Sequence, residues 1–466
     1  MSAPAIIVSG CSRRCGKTGI TMALSRLVAR RGRRVRALGI GTDRAAAGHL
    51  ASATGYPCPT IDGWSMRLET LASVMRTAGA DADLLLLDGS GALFDGLPKA
   101  LPASRGETGG GARGVTQGPF ADQEGSAADV AALLGLPVLL VVDAAGQDVS
   151  AAAVVDGFLR ARDDVGIVGL ILVNVTGAQQ SARLHRSFEA RFSLAVLGQV
   201  EQAEARMLDV AAIGPPGAGN RLRVEAEIAA IEAALADRLD VERLMRLARP
   251  ATLDIMAGPA VPLAPIGQRI ALADDDAFSF RLPSVVDGWR ATGAEILPFS
   301  PLADEAPPKH ADAVYLPDGP CGFYLERLAT NRGFVKGLHA AAARDTFVYA
   351  EGGGFLSLAE AAIDTTGRSH AMAGLLPVRL EARGAMQAGS LGMVEVRARA
   401  TTPLARRGLR CRGHLTAAGR MVERRGAALF EACGDGGAEF GAIAGTVCGS
   451  FVQLIDRAPH LGVVRS

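Results

Sequence analysis

Short apolar runs rich in Ile, Leu and Val alternate along this chain with segments whose apolar side chains recur at helical spacing. A short apolar run is typical of a buried strand, and helical spacing is typical of a helix with one buried face. Strands that alternate with helices predict a doubly wound, mostly parallel sheet. The N-terminal part has predicted strands at residues 5–9, 33–40, 83–87, 137–142, 165–173 and 195–200, and predicted helices at 20–28 and 222–248.

A stretch dense in Pro and Gly, at residues 250–267, interrupts the alternation and is interpreted as a linker. We therefore expect an α/β protein of two domains, 1–249 and 268–466. Residues 99–124 are rich in Gly, Ala and Ser and have no periodicity, which predicts a mobile insertion. The alternation resumes after the linker, with predicted strands at 269–273, 295–299, 313–316 and 346–350, and helices from Pro283 and Phe355.

The composition excludes some classes of protein. A formal charge of +1 over 466 residues argues against electrostatic capture of nucleic acid or of a membrane surface. The sequence contains no apolar run long enough to span a bilayer. Its seven cysteines are scattered and odd in number, which is typical of reduced thiols. We expect a cytoplasmic protein.

The first predicted strand runs into a glycine-bounded loop and then into a helix. The loop reads Gly-Cys-Ser-Arg-Arg-Cys-Gly-Lys-Thr from Gly10 to Thr18, one residue longer than the usual phosphate-binding loop. In such a loop, backbone N–H groups point at phosphates, Lys17 reaches the outer phosphates and the Thr18 hydroxyl binds Mg²⁺. The alternative is a tight turn with a surface lysine. The coincidence of strand, Gly16-Lys17-Thr18 and helix start favours phosphate binding.

Asp88 follows the third predicted strand of this series. The carboxyl ends of parallel strands carry the ligand groups of an open α/β sheet. An acidic residue at that end, facing a phosphate loop, meets Mg²⁺ through water, whereas the alternative is a simple turn aspartate. We favour the role toward Mg²⁺ for Asp88.

Several motifs then resemble one family over nearly the whole length. Together with the phosphate loop and Asp88, they are similar to those of cobyrinic acid a,c-diamide synthase. In that family a P-loop ATPase domain like dethiobiotin synthetase precedes a class I glutamine amidotransferase-like domain with a flavodoxin-like fold. The matching motifs are Ala-Thr-Gly-Tyr-Pro at 53–57, Ile-Asp-Gly-Trp at 61–64, Gly-Ser-Ala-Ala-Asp at 125–129, Ala-Phe-Ser-Phe at 277–280 and Tyr-Ala-Glu at 349–351.

The resemblance implies ATP and Mg²⁺ as the groups bound by the first domain. It also shows two departures, because Gly39 replaces a lysine of the family and Ala46 replaces an acid, while Asp43 keeps the first acid. Lys17 and Asp88 are the implied catalytic residues. The implied nucleotide contacts are Gly10, Ser12, Gly16, Lys17, Thr18 and Asn174, the last offset by one residue from the adenine-reading asparagine, and the implied Mg²⁺ ligands are Thr18, Asp43 and Asp88.

The glutaminase positions of the second domain depart further. The family has Glu-Cys-Gly-Gly where this chain has Gly352 after Glu351, and its late histidine is matched by Gln453. Glycine supplies no nucleophile and glutamine is no general base. A nucleophile relocated to Cys321 has no base that the sequence can name. We predict that the amidotransferase fold persists without glutaminase activity.

Three functions remain open at this stage. The first is ATP-dependent amidation of carboxylates on a corrinoid or tetrapyrrole-type substrate, with free ammonia or ammonia from a separate partner. The second is a nucleotide-binding pseudo-enzyme that serves as carrier, regulator or partner subunit. The third, an unrelated P-loop switch ATPase, is disfavoured by the match of the second domain. A separate glutaminase, another pathway enzyme and a second copy of the chain are the protein partners we consider.

Overall fold

The computed structural model describes residues 3–96, 124–192, 194–213, 220–253, 260–383, 390–434 and 437–459. The chain divides into two compact units. Nearly all of the predicted insertion at 99–124 lies outside the described residues. In the part of the chain that is described, no helix is both long and apolar enough to cross a membrane. The first unit lies in Met1–Trp64, Leu71–Gly96 and Val115–Met256, and the second contains Ser65–Thr70 and Ala257–Ser466.

The first unit is built on a seven-stranded sheet in which every neighbouring pair is parallel. Strands buried on both faces need continuous apolar runs, which is the pattern that predicted most of them. The order across the sheet is β3-β2-β4-β1-β5-β6-β7. The strands are β1 (Ala5–Gly10), β2 (Val35–Ile40), β3 (Thr60–Ile61), β4 (Leu84–Gly89), β5 (Val138–Asp143), β6 (Ile167–Val175) and β7 (Ala195–Glu201).

Helices connect these strands, as the alternating pattern predicted. The single helix predicted for 222–248 is wrong, since two helices occupy it. Asp240 ends the interruption and caps the second helix by accepting a hydrogen bond from the Arg243 N–H. The helices are α1 (Lys17–Arg30), α2 (Arg44–Thr54), α3 (Leu68–Gly79), α4 (Ala127–Leu134), α5 (Ser150–Ala161), α6 (Ala178–Arg191), α7 (Gln202–Ala205), α8 (Arg221–Leu235) and α9 (Val241–Leu247).

The second unit contains a six-stranded sheet of order β20-β21-β11-β10-β8-β9, parallel except for its β20 edge. Its strands are β8 (Arg269–Ala273), β9 (Glu295–Phe299), β10 (Ala313–Leu316), β11 (Phe347–Glu351), β20 (Ala442–Ala444) and β21 (Val447–Ser450). Its helices are α10 (Pro283–Ala291), α11 (Leu325–Thr330) and α12 (Arg332–Ala343). Two smaller sheets contain β12 (Ala359–Ile363), β13 (Ser369–Ala371), β14 (Leu376–Ala382), β15 (Ser390–Ala398), β16 (Arg410–Thr416), β17 (Gly419–Arg424), β18 (Phe430–Ala432), β19 (Glu439–Phe440) and β22 (Val452–Arg457).

The segment after β11 differs from the prediction. The expected helix from Phe355 is wrong, because Gly352–Leu358 forms a 3₁₀ helix that passes directly into β12. All seven residues of this 3₁₀ helix are buried. A run of three glycines disfavours an α-helix, since glycine loses the most backbone freedom on ordering. The α/β fold class, with a doubly wound parallel sheet in the first unit, is confirmed.

Candidate functional site

The loop between β1 and α1 depends on its glycines. Gly16 has φ +80°, a left-handed conformation, and a Cβ at Gly10 would lie 2.1 Å from the sulfur of Cys15. The first helix begins at Lys17 and has no side-chain cap. Its first N–H groups therefore have no capping side chain as acceptor, which suits a bound phosphate. Ser12 lies half-buried in the same loop.

Asp88 stands beside this loop because β4 pairs in parallel with β1, in the register Val8 to Asp88. The Thr18 hydroxyl donates to one carboxylate oxygen of Asp88 at 2.8 Å, and the Thr21 hydroxyl donates to the other at 2.9 Å. Burial raises the pKa of Asp88 to about 6, although the charge of Lys17 and these two hydroxyls oppose the rise. Sequence reasoning missed Thr21, whose spacing from Lys17 along α1 is that of one helical turn.

Several of the site residues predicted for the first unit line one pocket. Asp43 lines it and also caps α2, since its carboxylate accepts a hydrogen bond from the Ala46 N–H at 2.9 Å. Gly39 and Ala46 line it too, so the two departures from the family's charged residues face the same space. The lining residues are Lys17, Thr18, Gly39, Ile40, Asp43, Ala46, Asp88, Gly89, Ser90 and Gly91.

These residues fit a nucleoside triphosphate with Mg²⁺. Lys17 supplies a buried cation, and Thr18, Asp43 and Asp88 supply hard oxygen ligands. Mg²⁺ binds through one or two carboxylates together with phosphate oxygens and water, and this set of groups would suit it. Across the described ranges no group of three His, Cys, Asp or Glu side chains could hold a metal ion.

Asn174 lies at the end of β6 and is not among the residues that line this pocket. It has φ +59°, and its side-chain amide donates to the Asp143 carboxylate at 2.8 Å. The same Asp143 oxygen accepts the Ala145 N–H at 3.0 Å. The positive φ and the pair with Asp143 hold the amide of Asn174 in one orientation at the carboxyl edge of the sheet.

The second unit places the two altered glutaminase positions near one buried carboxylate. Gln453 donates to the Phe280 carbonyl at 3.0 Å and to Glu351 at 3.4 Å. The Tyr349 hydroxyl donates to Glu351 at 3.0 Å, and the Tyr315 hydroxyl also donates to it. Burial raises the pKa of Glu351 to about 7, against the lowering effect of these hydrogen bonds.

Gly352 and Cys321 both lie in closely packed surroundings. Gly352 has φ +54°, and a Cβ there would lie 2.1 Å from an oxygen of Asp318. The Cys321 thiol is fully buried and lies 2.8 Å from the Ala277 carbonyl, to which it donates. Burial raises the pKa of Cys321 well above its usual value, so its thiol stays protonated. Asp318, which sequence reasoning missed, is buried against this turn.

Known proteins match this chain both in its second half and over nearly its whole length. Residues 269–455 match the family described as the CobB/CobQ-like glutamine amidotransferase domain. The chain is 36% identical over 464 residues to a hydrogenobyrinate a,c-diamide synthase of Mesorhizobium japonicum, covering 98% of this chain and 100% of that protein. It is 35% identical over 443 residues to the protein of that name from Rhodobacter capsulatus, covering 94% and 96%.

Likenesses among solved structures are weaker. The MinC:MinD complex of Aquifex aeolicus aligns over 53% of this chain and 98% of the matched chain, with 14% identity and a TM-score of 0.31. A similarity of that size carries no argument about function. The relatives that match over nearly the full length confirm the family resemblance drawn from the motifs. The chain belongs to the hydrogenobyrinate a,c-diamide synthase family.

Proposed function

We propose that this protein is an ATP-dependent amide ligase that converts the a and c carboxylates of a hydrogenobyrinate-type corrinoid into carboxamides. The observation that carries the proposal is the identity of 36% to a hydrogenobyrinate a,c-diamide synthase across the whole of that relative. The pocket lined by Lys17, Thr18 and Asp88 supports it, because this pocket has the groups that a triphosphate needs.

The reaction has two steps. A substrate carboxylate attacks the terminal phosphorus of ATP, which forms an acyl phosphate and releases ADP. Ammonia then attacks the acyl carbon and expels phosphate, which leaves the amide. In phosphoryl transfer the protein mainly positions the groups and neutralises charge. Lys17 and the N–H groups that begin α1 do so at the outer phosphates.

Mg²⁺, when bound, neutralises phosphate charge. The chain's own contribution is to hold three oxygen groups toward the phosphates. The hydroxyl of Thr18 and the carboxylate of Asp88 are held together at 2.8 Å. Asp43 stands in the same pocket, where its cap on α2 fixes its carboxylate. The ordered hydroxyl–carboxylate pair limits the reorganisation needed when the nucleotide enters.

The nitrogen in this proposal comes from free ammonia or from a separate glutaminase. Thioester formation needs a thiolate and a base near it. Gly352 supplies no sulfur, and Gln453 is held by the Phe280 carbonyl and Glu351. Cys321 is buried and its thiol donates to a backbone carbonyl rather than to a base. We infer that the second unit has no glutaminase activity.

A second candidate function is that of a nucleotide-binding carrier, regulator or partner subunit without ligase activity. Gly39 and Ala46 favour it, because both line the pocket at positions where the family motif carries charge. Loss of a lysine from a phosphate pocket weakens neutralisation of charge that develops during transfer. The two candidates differ in turnover and agree in nucleotide binding.

A turnover assay separates them. The full-length protein is incubated with ATP, Mg²⁺ and hydrogenobyrinate, with either ammonium or glutamine as nitrogen source, and products are followed by mass spectrometry and ADP release. Amide products with ammonium, and none with glutamine, are the expected result. Nucleotide binding in calorimetry without amide product from either source would favour the second candidate.

A further inference from the structure

Two backbone N–H groups converge on one oxygen of Asp318. The Gly319 N–H donates to that oxygen at 2.8 Å and the Gly353 N–H donates to the same oxygen at 2.6 Å. The two amides come from different elements, the loop after β10 and the turn after β11. We refer to them as the amide pair. Asp318 is only 6% exposed, so the interaction is shielded from water.

Paired N–H groups that point at one oxygen are the geometry that stabilises the oxyanion of an acyl-transfer intermediate. Gly353 directly follows position 352, where the nucleophile would stand. We propose that Asp318 is a built-in occupant of this oxyanion-binding pair and closes the glutamine site from within. The proposal rests on the inferred lack of glutaminase activity, and it explains how the fold keeps the amide pair satisfied without a substrate.

The backbone around Asp318 leaves no room for a side chain in the glycine run. A Cβ at Gly353 would lie 2.0 Å from the Gly319 carbonyl oxygen, and one at Gly354 would lie 2.4 Å from the Leu316 carbonyl oxygen. A Cβ at Gly352 would lie 2.1 Å from the Asp318 carboxylate oxygen. The loop after β10 and the turn after β11 therefore touch backbone to backbone. A cysteine at 352 therefore has no room for its side chain while Asp318 holds the amide pair.

The first test removes the occupant and offers a substitute. Asp318→Ala leaves two buried N–H groups without their acceptor, so the melting temperature should fall by roughly 3–10 °C. Sodium formate supplies a carboxylate that fits the vacated space and should restore part of this loss. Sodium pivalate at equal ionic strength is too bulky and should not. Asp318→Asn keeps an acceptor oxygen and should melt within roughly 3 °C of the parent protein.

A matched control isolates burial. Asp364 accepts the N–H groups of Thr366 and Arg368 at 2.9 and 3.0 Å at the start of an exposed turn, and its other oxygen contacts His370. Water can replace its carboxylate there, so Asp364→Ala should show no stabilisation specific to formate. Equal effects of formate on the parent, Asp318→Ala and Asp364→Ala would overturn the proposal. If Asp318→Ala does not fold during expression, the same comparison is made on its refolding yield in formate and in pivalate.

The second test rebuilds the nucleophile. Gly352→Cys with Gln453→His should not be labelled by an electrophilic glutamine analogue while Asp318 is present. Adding Asp318→Gly should open the site and give covalent labelling in intact-mass spectra. Labelling of the double variant as fast as the triple variant would contradict the occupancy of the amide pair. Glutamate release by the parent protein would instead contradict the proposed function, so the two failures are distinguishable.

Discussion

The phosphate pocket of the first unit and the glycine turn of the second unit begin in the same way and end differently. Both follow a parallel strand at the carboxyl edge of a sheet, and both use a glycine with positive φ, Gly16 and Gly352. In the first, Lys17 and Thr18 line a pocket. In the second, Asp318 and neighbouring backbone fill the space. One glycine turn thus borders a pocket, and the other is closely packed.

The largest expected effect is on the phosphate pocket. Lys17→Ala removes the cation that neutralises the outer phosphates, and it should lower ammonium-dependent turnover on the order of 10³-fold. Nucleotide affinity in calorimetry should fall with it. Lys309→Ala, which removes an exposed lysine of the second unit, is the control for net charge. Equal turnover by Lys17→Ala and Lys309→Ala would show that the pocket is not the site of transfer.

The next effect combines loss of activity with gain of stability. Asp88→Asn leaves one acceptor oxygen for the hydroxyls of Thr18 and Thr21 and removes the negative charge, and it should lower turnover on the order of 10²-fold. The folded pKa of Asp88 is raised to about 6, so the native state binds its proton more tightly than the unfolded state. Parental stability therefore falls as the pH rises from about 4 to about 6. Asn has no such loss, so the variant's advantage in melting temperature should grow over that range.

Asp95→Asn is the matched control for Asp88→Asn. Asp95 lies near the same loop, but it is half-exposed and pairs with the exposed Arg13. Because an exposed ion pair contributes little, its substitution should leave turnover within about twofold of the parent. A pH dependence of melting that is unchanged in Asp88→Asn would mean that burial does not raise the pKa of this carboxyl group.

In the glycine turn, the prediction concerns the stability lost when a methyl group is added to a closely packed glycine. Gly352→Ala places a methyl group against Asp318 and also strains a positive φ, and it should destabilise the protein by roughly 3–5 kcal/mol. Gly445 has φ +58°, close to the +54° of Gly352, but has no heavy atom within 4 Å of an added Cβ. Gly445→Ala should therefore lose only the strain, about 1 kcal/mol. Equal losses in denaturant unfolding would refute close packing at Gly352.

The smallest effect concerns Glu351. Its folded pKa is raised to about 7 by burial, so its ionisation removes stability as the pH rises from about 4.5 to about 7. Glu351→Gln should gain roughly 1–3 kcal/mol relative to the parent between pH 5 and pH 8, measured by denaturant unfolding at each pH. Ammonium-dependent turnover should stay within about twofold, because the residue serves the folded core. A relative stability that does not change with pH would contradict the raised pKa.

Much of the fold follows from the sequence, since buried parallel strands require continuous apolar runs. The strands predicted at 269–273, 295–299 and 313–316 coincide with β8, β9 and β10. The helix predicted from Phe355 is wrong, because the glycine run before it packs against the backbone of the loop after β10. This contact between distant segments is not visible in the local sequence. The split between α8 and α9 was missed because Asp240 interrupts the helix without Pro or Gly.

The two sites also differ in how far they could be predicted from the sequence. Lys17 and Thr18 were predicted because strand, loop and helix follow one another along the chain, and Asp88 because it follows a strand predicted in the same parallel sheet. Asp318 was not, since its acceptor role depends on the N–H of Gly353, 35 residues away. A run of glycines in the sequence indicates that side chains do not fit there, but it does not indicate which distant residue packs against it.

The most direct measurement follows the nitrogen atom. The parent protein is given ATP, Mg²⁺, hydrogenobyrinate, unlabelled ammonium and glutamine whose amide nitrogen is isotopically labelled, and the products are weighed by mass spectrometry. Because Gly352 supplies no nucleophile and Asp318 occupies the amide pair, the new amides should carry unlabelled nitrogen alone. Label in the amides, at a level that excludes contaminating glutaminase, would contradict the division between a working phosphate pocket and a closed glycine turn.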